Sequence, residues 1–150
     1  MKNITYKKFK FIIFMFLILT LLPLTSFNIN KNTDNNVIID IGNSTRFTEE
    51  EISKALNVVI DNFDFPACTL TKVMYDEEKS NLITKSYLTN GRGSTNGVIP
   101  ENVIVVLCNF DVDSSKNNPV FEPNTTYTDF SWTLIRIDKS SNWEIDDQGY

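Results

Sequence analysis

Hydrophobic residues recur with a helical period in the segment that follows Thr48. Its apolar positions are Ile52, Ala55, Leu56, Val59, Ile60 and Phe63. This spacing predicts an amphipathic helix with one buried face. Thr48 and Glu51 form the S/T-x-x-E pattern of a capping box at its start. Because the residue before a proline avoids helical geometry, Pro66 predicts that this helix ends near residues 63–65.

Strand patterns dominate the rest of the chain. Residues 68–75 alternate β-forming side chains, which predicts a strand. Residues 103–110 are apolar on both faces, which is typical of a central strand covered on two sides. Residues 127–137 and 143–147 predict a β-hairpin. A short strand is also predicted at residues 37–41.

A second helix is predicted between Asp76, which can cap its start, and Asn90–Gly91, which can end it. It carries Leu82, Ile83, Ser86 and Tyr87. The main elements therefore run helix, strand, helix and three strands, without βαβ repetition. This order predicts an α+β fold in which the helices cover one face of a mostly antiparallel sheet.

The N-terminus combines a basic head with an apolar run. Lys2, Lys7, Lys8 and Lys10 precede an uncharged stretch of 17 residues from Phe11 to Phe27. A membrane-spanning helix needs about 20 apolar residues and a signal-peptide core about 7–15, so a cleaved signal and an uncleaved anchor both stay open. The lysines stay cytoplasmic in either case.

This pattern predicts three regions. Residues 1–27 are a signal peptide or membrane anchor, residues 28–46 are a polar linker, and residues 47–150 are a single α+β domain. The domain is expected to be secreted or anchored on the extracytoplasmic face of the membrane. Only the N-terminal segment is expected to contact lipid.

Charge and composition narrow the possible functions. Residues 28–150 carry ten Lys and Arg against nineteen Asp and Glu, a net charge of −9. An acidic domain repels nucleic acid and anionic lipid, so neither is expected as a partner. The chain contains no histidine. This excludes Ser-His and Cys-His nucleophile systems in their usual form and a zinc site with imidazole ligands.

Two carboxylates near the C-terminus are the remaining candidates for catalysis. Asp146 and Asp147 lie on a predicted edge strand, where one of the two side chains points inward. An inward carboxylate in an apolar cavity has a raised pKa and can act as a general base. The alternative, which we favour, is a pair of solvated charges close to the terminus.

Two loops resemble binding motifs without completing them. Residues 90–97 are rich in glycine but lack the Gly-Lys-Ser/Thr of a P-loop, and they favour a structural turn. Residues 111–122 place oxygen ligands in the register of a calcium loop, but Lys116 stands where that loop requires glycine. An acidic surface loop is the simpler interpretation, and we predict no metal site and no cofactor.

Cysteine and aromatic residues leave two further alternatives. Cys68 and Cys108 either form a disulfide or are buried thiols that act as small hydrophobic residues. Four aromatic residues of the predicted hairpin favour the core over a binding cleft: Tyr127, Phe130, Trp132 and Trp143.

Four stretches of the chain carry a resemblance to known proteins. They are the capping box, YDEEKS at residues 75–80, GSTNG at residues 93–97 and WEIDDQGY at residues 143–150. Over residues 47–150 the chain resembles a family of small exported domains of unknown function, often lipoproteins, from low-GC Gram-positive bacteria. Its last hairpin is similar to that of the nuclear transport factor two-like cone fold. That resemblance implies helices on a strongly curved sheet that can enclose a pocket.

The chain departs from these relatives in two respects. It lacks the cysteine that attaches a lipoprotein to lipid, and it lacks the histidine that commonly accompanies an aspartate in the pockets of cone-fold enzymes. We therefore expect a non-catalytic domain that binds a small ligand or a protein partner at the cell surface. A carboxylate-dependent enzyme with an acidic residue in a cone cavity is the alternative.

Overall fold

The computed structural model describes residues 37–150, which lie in one compact unit. The predicted export segment and residues 28–36 of the predicted linker lie outside these residues. The helices are α1 (Glu49–Asn62), α2 (Glu77–Asn90) and the one-turn α3 (Gly93–Asn96). The strands are β1 (Ile38–Asp40), β2 (Cys68–Met74), β3 (Val103–Val112), β4 (Thr126–Ile135) and β5 (Glu144–Gly149).

The strands form one open sheet whose spatial order equals the chain order, β1-β2-β3-β4-β5. β1 pairs with β2 in parallel, and the other three pairs are antiparallel. The α+β class is therefore confirmed, with a mixed sheet. Because α1 connects the parallel pair, β1, α1 and β2 form one βαβ unit. β1 thus brings part of the predicted linker into the folded domain.

Helix α1 forms where the sequence predicts it. The hydroxyl of Thr48 accepts from the backbone N–H of Glu51 at 3.2 Å, and the Glu51 carboxylate accepts from the N–H of Thr48 at 2.9 Å. This reciprocal pair confirms the capping box. The buried face of α1 consists of Ile52, Ala55, Leu56 and Val59. The helix ends at Asn62, ahead of the predicted break at Pro66.

Helix α2 has the predicted ends but an unexpected buried face. Asp76 caps its start by accepting from the N–H of Lys79 at 3.0 Å, and the N–H of Gly91 donates to the carbonyl of Tyr87 at its end. The buried residues of α2 are Ser80, Thr84 and Tyr87. Of the four side chains by which the sequence predicted this helix, only Tyr87 is buried. The helix packs instead through the small hydroxyl residues Ser80 and Thr84, which let it approach the sheet closely.

The two long helices cover opposite faces of the sheet. One face of β3, including Ile104 and Val106, packs with α1 in the main hydrophobic cluster. The other face carries Val105, which lies outside that cluster, and Ser131 and Thr133, which line a cleft together with residues of α2. The expectation that both helices cover one face is therefore wrong. β3 is apolar on both sides because a helix lies on each.

The two cysteines do not form a disulfide. In the antiparallel register Cys68 lies opposite Val112 and Cys108 lies opposite Val73. Cys68 and Val73 are five steps apart along β2, about 16 Å, whereas a disulfide requires Cα atoms within about 7 Å. Both thiols are free, and Cys108 is buried.

Candidate functional site

A cleft lies between α2 and the β4–β5 end of the sheet, on the face opposite α1. We call it the α2–β5 cleft, and its volume is about 510 Å³. It is lined by Leu82, Ile83, Ser86, Tyr87, Asn90, Gly91, Ser131, Thr133, Asp147, Gln148, Gly149 and Tyr150. The volume lies in the range typical of sites for small ligands.

Small side chains on β4 leave this space open. Phe130, Trp132 and Leu134 belong to the main hydrophobic cluster on the α1 face, while Ser131 and Thr133 alternate with them and face α2. The hydroxyl of Ser131 donates to the carbonyl of Gly149 at 2.6 Å, which fixes the end of β5 against β4. The prediction that the hairpin aromatics belong to the core is confirmed for Phe130, Trp132 and Trp143.

Asp147 is the one charged residue that lines the α2–β5 cleft. It lies on β5, opposite Thr133 in the register. One of its oxygens, Oδ1, accepts from the N–H of Gln148 at 2.9 Å. No Lys or Arg within residues 37–150 forms an ion pair with Asp147. The carboxylate is exposed, so it is accessible to a ligand in the cleft.

The neighbouring residue, Asp146, is bound within the protein. The Tyr87 hydroxyl donates to Asp146 Oδ2 at 2.6 Å and accepts from the Asn96 side-chain amide at 2.9 Å. Arg92 Nη1 donates to the Asp146 carbonyl at 2.8 Å, and its Nε lies 3.6 Å from Asp146 Oδ2. Burial and the hydrogen bond to Asp146 raise the pKa of Tyr87 to about 12, so its phenol stays protonated at neutral pH.

A bulge in β5 explains why the two aspartates differ. Thr133 pairs with Asp147 and Leu134 pairs with Ile145, which leaves Asp146 as an extra residue on β5. The bulge turns the Asp146 side chain toward Tyr87, and its exposed fraction falls to 15%. The favoured interpretation of two solvated charges is therefore wrong for Asp146, while Asp147 is exposed. Strand alternation raises the possibility of one inward carboxylate. It does not reveal the bulge or the tyrosine partner.

The glycine-rich segment closes one end of the cleft. It contains the one-turn helix α3, where the sequence predicts only a turn, and its Asn96 and Arg92 belong to the Asp146 network. Gly93 is required there because a Cβ at this position would lie 2.4 Å from Cε1 of Tyr87. This segment supports the wall of the cleft, in agreement with its structural interpretation.

Two carboxylates of the possible calcium loop accept hydrogen bonds from neighbouring residues. Asp113 accepts from the N–H of Ser115 at 2.8 Å, and Asp111 accepts from the hydroxyl of Thr126 at 2.6 Å. Nowhere in residues 37–150 do three His, Cys, Asp or Glu side chains lie together in a way that could hold a metal ion. These carboxylates organise the loop and its neighbouring strand.

A second recess of about 630 Å³ lies on the other side of the glycine-rich segment. Its buried cation, Arg136, is already paired with Glu51 at 2.7 Å and bonded to the Glu101 carbonyl at 3.3 Å. The guanidinium also lies 4.3 Å from the ring centroid of Trp143. Since this charge is satisfied by the protein, the α2–β5 cleft is the better candidate site.

Comparison with known proteins identifies one family. The model of a domain of unknown function, DUF4829, matches residues 18–149. No curated protein and no solved structure matches the chain. Among the helices of residues 37–150, none is long and apolar enough to cross a membrane.

Proposed function

The chain belongs to the DUF4829 family of domains of unknown function, and we propose that residues 37–150 form a non-catalytic domain that binds a small ligand in the α2–β5 cleft. The rim of this cleft carries the proposal. Leu82 on α2 is a large side chain, 71% exposed, and with the partly buried Ile83 it lines the cleft together with the available carboxylate of Asp147. Apolar walls around a few polar groups are the usual composition of ligand sites.

The arrangement of Asp146 supports binding over the alternative of carboxylate-dependent catalysis. A general base needs a free carboxylate within reach of a substrate proton. The Asp146 carboxylate accepts from Tyr87 and contacts Arg92, so its inward position serves the packing of β5. Asp147 is exposed and lacks the enclosed apolar cavity in which the alternative places its acidic residue.

An extracytoplasmic location is part of the same proposal. It is supported by the basic head and apolar run of residues 1–27. We also propose that the family is exported and that the sheet is curved as in a cone fold. The cleft between α2 and the last hairpin is the feature closest to a cone-fold pocket, while the placement of α1 and α2 on opposite faces departs from that fold.

Ligand binding is tested with the full chain in a nonionic detergent. A library of small fragments is screened by ¹H–¹⁵N NMR, and we expect hits to shift the amide signals of Thr133 and Asp147. Ser86→Trp places a large side chain in the cleft from an exposed position on α2 and should abolish these shifts. Thr89→Trp, on the same helix outside the cleft, is the matched control and should retain them.

A screen without hits in the cleft would refute the binding proposal, and so would hits that survive Ser86→Trp. Location is tested separately in the source cells. A membrane-impermeant amine-reactive label should modify the lysines beyond residue 27, read by peptide mass spectrometry, as fully in intact cells as in lysed cells. Labelling that appears only after lysis would place the domain in the cytoplasm and refute the location.

A further inference from the structure

The charge of the α2–β5 cleft restricts what it can bind. Its lining contains one carboxylate, from Asp147, and no Lys or Arg. The part of the chain after the apolar run has a net charge of −9, so the long-range field also attracts cations. An anionic ligand would find no cation within this lining.

One oxygen of the Asp147 carboxylate is available to a ligand. Only Oδ1 is engaged, by the N–H of Gln148 at 2.9 Å, and this bond lies within the same strand. Arg92, a cation close to this end of the cleft, is held by the carbonyl and carboxylate of Asp146. Lys79, at the other end of α2, is paired with Asp129 at 2.8 Å. Neither cation neutralises Asp147.

Apolar surface of α2 faces this carboxylate across the cleft. Leu82 is 71% exposed and Ile83 is partly buried, and both line the cleft with Asp147. A ligand with a hydrocarbon body would cover these side chains and remove their apolar area from water. The Tyr150 ring lies on the other face of the sheet, where its centroid is 5.3 Å from that of Phe130.

We infer that the α2–β5 cleft binds a small organic cation, whose ammonium group pairs with Asp147 and whose apolar body lies against Leu82 and Ile83. The inference rests on the proposed function and adds the chemical class of the ligand. Thr133, which lies opposite Asp147 in the register, places a hydroxyl on the same wall as a further hydrogen-bonding group.

The test compares three probes of the same shape: phenethylamine, phenethyl alcohol and phenylacetate. Each is titrated by ¹H–¹⁵N NMR into the full chain in nonionic detergent, following the amides of Thr133 and Asp147. We expect the amine to bind about two- to fivefold more tightly than the alcohol, because it gains one partly screened ion pair. Phenylacetate should bind more weakly than the alcohol.

Asp147→Asn should reduce the affinity for the amine to that for the alcohol and leave the alcohol unchanged. Glu144→Gln removes the same charge from the same strand but outside the cleft, and it should leave the preference for the amine intact. An amine that binds no better than the alcohol, or a preference that survives Asp147→Asn, overturns the charge inference and leaves the cleft as a neutral site. Absence of binding by all three probes contradicts this inference, whereas the proposed function is judged by the broader fragment screen.

Discussion

Arg136 Nη1 lies 2.7 Å from Glu51 Oε1, and this ion pair joins the turn after β4 to the first turn of α1. Glu51 is also the residue that completes the capping box with Thr48. The Arg136 guanidinium packs on Trp143, whose indole N–H donates to the Glu51 carbonyl at 3.0 Å. Helix start and hairpin are therefore stabilised by one set of contacts.

Arg136→Met should destabilise the domain by about 3 kcal/mol, because it removes one partner of a buried pair and leaves Glu51 without its cation. The Arg136 side chain is only 2% exposed. The control is Lys54→Met, which breaks a pair of the same length with Glu50 whose side chains are both mostly exposed. That substitution should cost less than about 1 kcal/mol. Urea unfolding of the full chain in nonionic detergent measures both, and equal costs would contradict the buried role of Arg136.

Stability should fall as the pH drops below about 4.5, and Glu77 should contribute to the fall. Hydrogen bonds from the Ser44 and Thr45 hydroxyls and from the Thr45 N–H lower the pKa of Glu77 from 4.5 to about 2. Between these values the unfolded chain binds the proton and the folded chain does not. The contribution is complete above pH 4.5 and is lost toward pH 2.

Glu77→Gln should therefore make the unfolding free energy less dependent on pH between about 5 and 2. Urea unfolding at a series of pH values measures this slope. Glu78→Gln removes the adjacent, exposed carboxylate of the same helix and serves as the control. An unchanged slope in Glu77→Gln, or an equal change in the control, would contradict this role of Glu77.

Some elements could be predicted because their signals are local. The capping box of Thr48 and Glu51 and the alternation around Trp132 depend only on neighbouring residues, and both formed as expected. The two apolar faces of β3 also indicated helices on both sides.

The cleft could not be predicted because its causes are not local. Helix α2 approaches β3 through Ser80, whose hydroxyl accepts the Val105 N–H beyond the last residue that β2 pairs with β3. A helix that packs through hydroxyl residues has little hydrophobic periodicity. The apolar pattern of α2 therefore indicated Leu82 and not Ser80. The bulge at Asp146 likewise depends on partners from α2 and the glycine-rich segment.

Tyr87→Phe tests the hydrogen bonds that fix β5 beside the cleft. The substitution leaves Asp146 Oδ2 without its donor and the Asn96 amide without its acceptor. We expect a loss of about 1–3 kcal/mol in unfolding free energy, measured by urea titration. Tyr150→Phe alters an exposed hydroxyl and should stay within about 0.5 kcal/mol of the wild type. A Tyr87→Phe variant as stable as Tyr150→Phe would show that the network contributes little.

The two thiols should react very differently with Ellman's reagent. Burial raises the pKa of the Cys108 thiol to about 11, so almost no thiolate is present at pH 8. Cys68 is partly exposed and should account for any fast reaction of the native protein. Cys68→Ser should remove this phase, and urea should restore reaction of the remaining thiol. A fast phase in native Cys68→Ser would contradict the burial of Cys108.

Gly93 and Gly97 lie in the same loop but are glycines for different reasons. Gly93 is constrained by space, and Gly97 is constrained by its backbone conformation. At Gly93 the φ angle is not the constraint, but a Cβ would lie 2.4 Å from the Tyr87 ring. At Gly97 nothing lies within 4 Å of a Cβ, while φ is +75°. Gly97→Ala should therefore cost about 1–2 kcal/mol, the price of a left-handed residue with a side chain.

Gly93→Ala should cost about 1–3 kcal/mol and also displace Tyr87, because a well-packed site cannot absorb the added methyl group without movement. The two variants differ in their effect on the cleft. Tyr87 lines the cleft and holds Asp146, so Gly93→Ala should shift the amide signals of Asp146 and Asp147, whereas Gly97→Ala should leave them in place. NMR spectra of both variants measure this difference. Matching shifts in the two spectra would mean that the glycine-rich segment does not position the tyrosine.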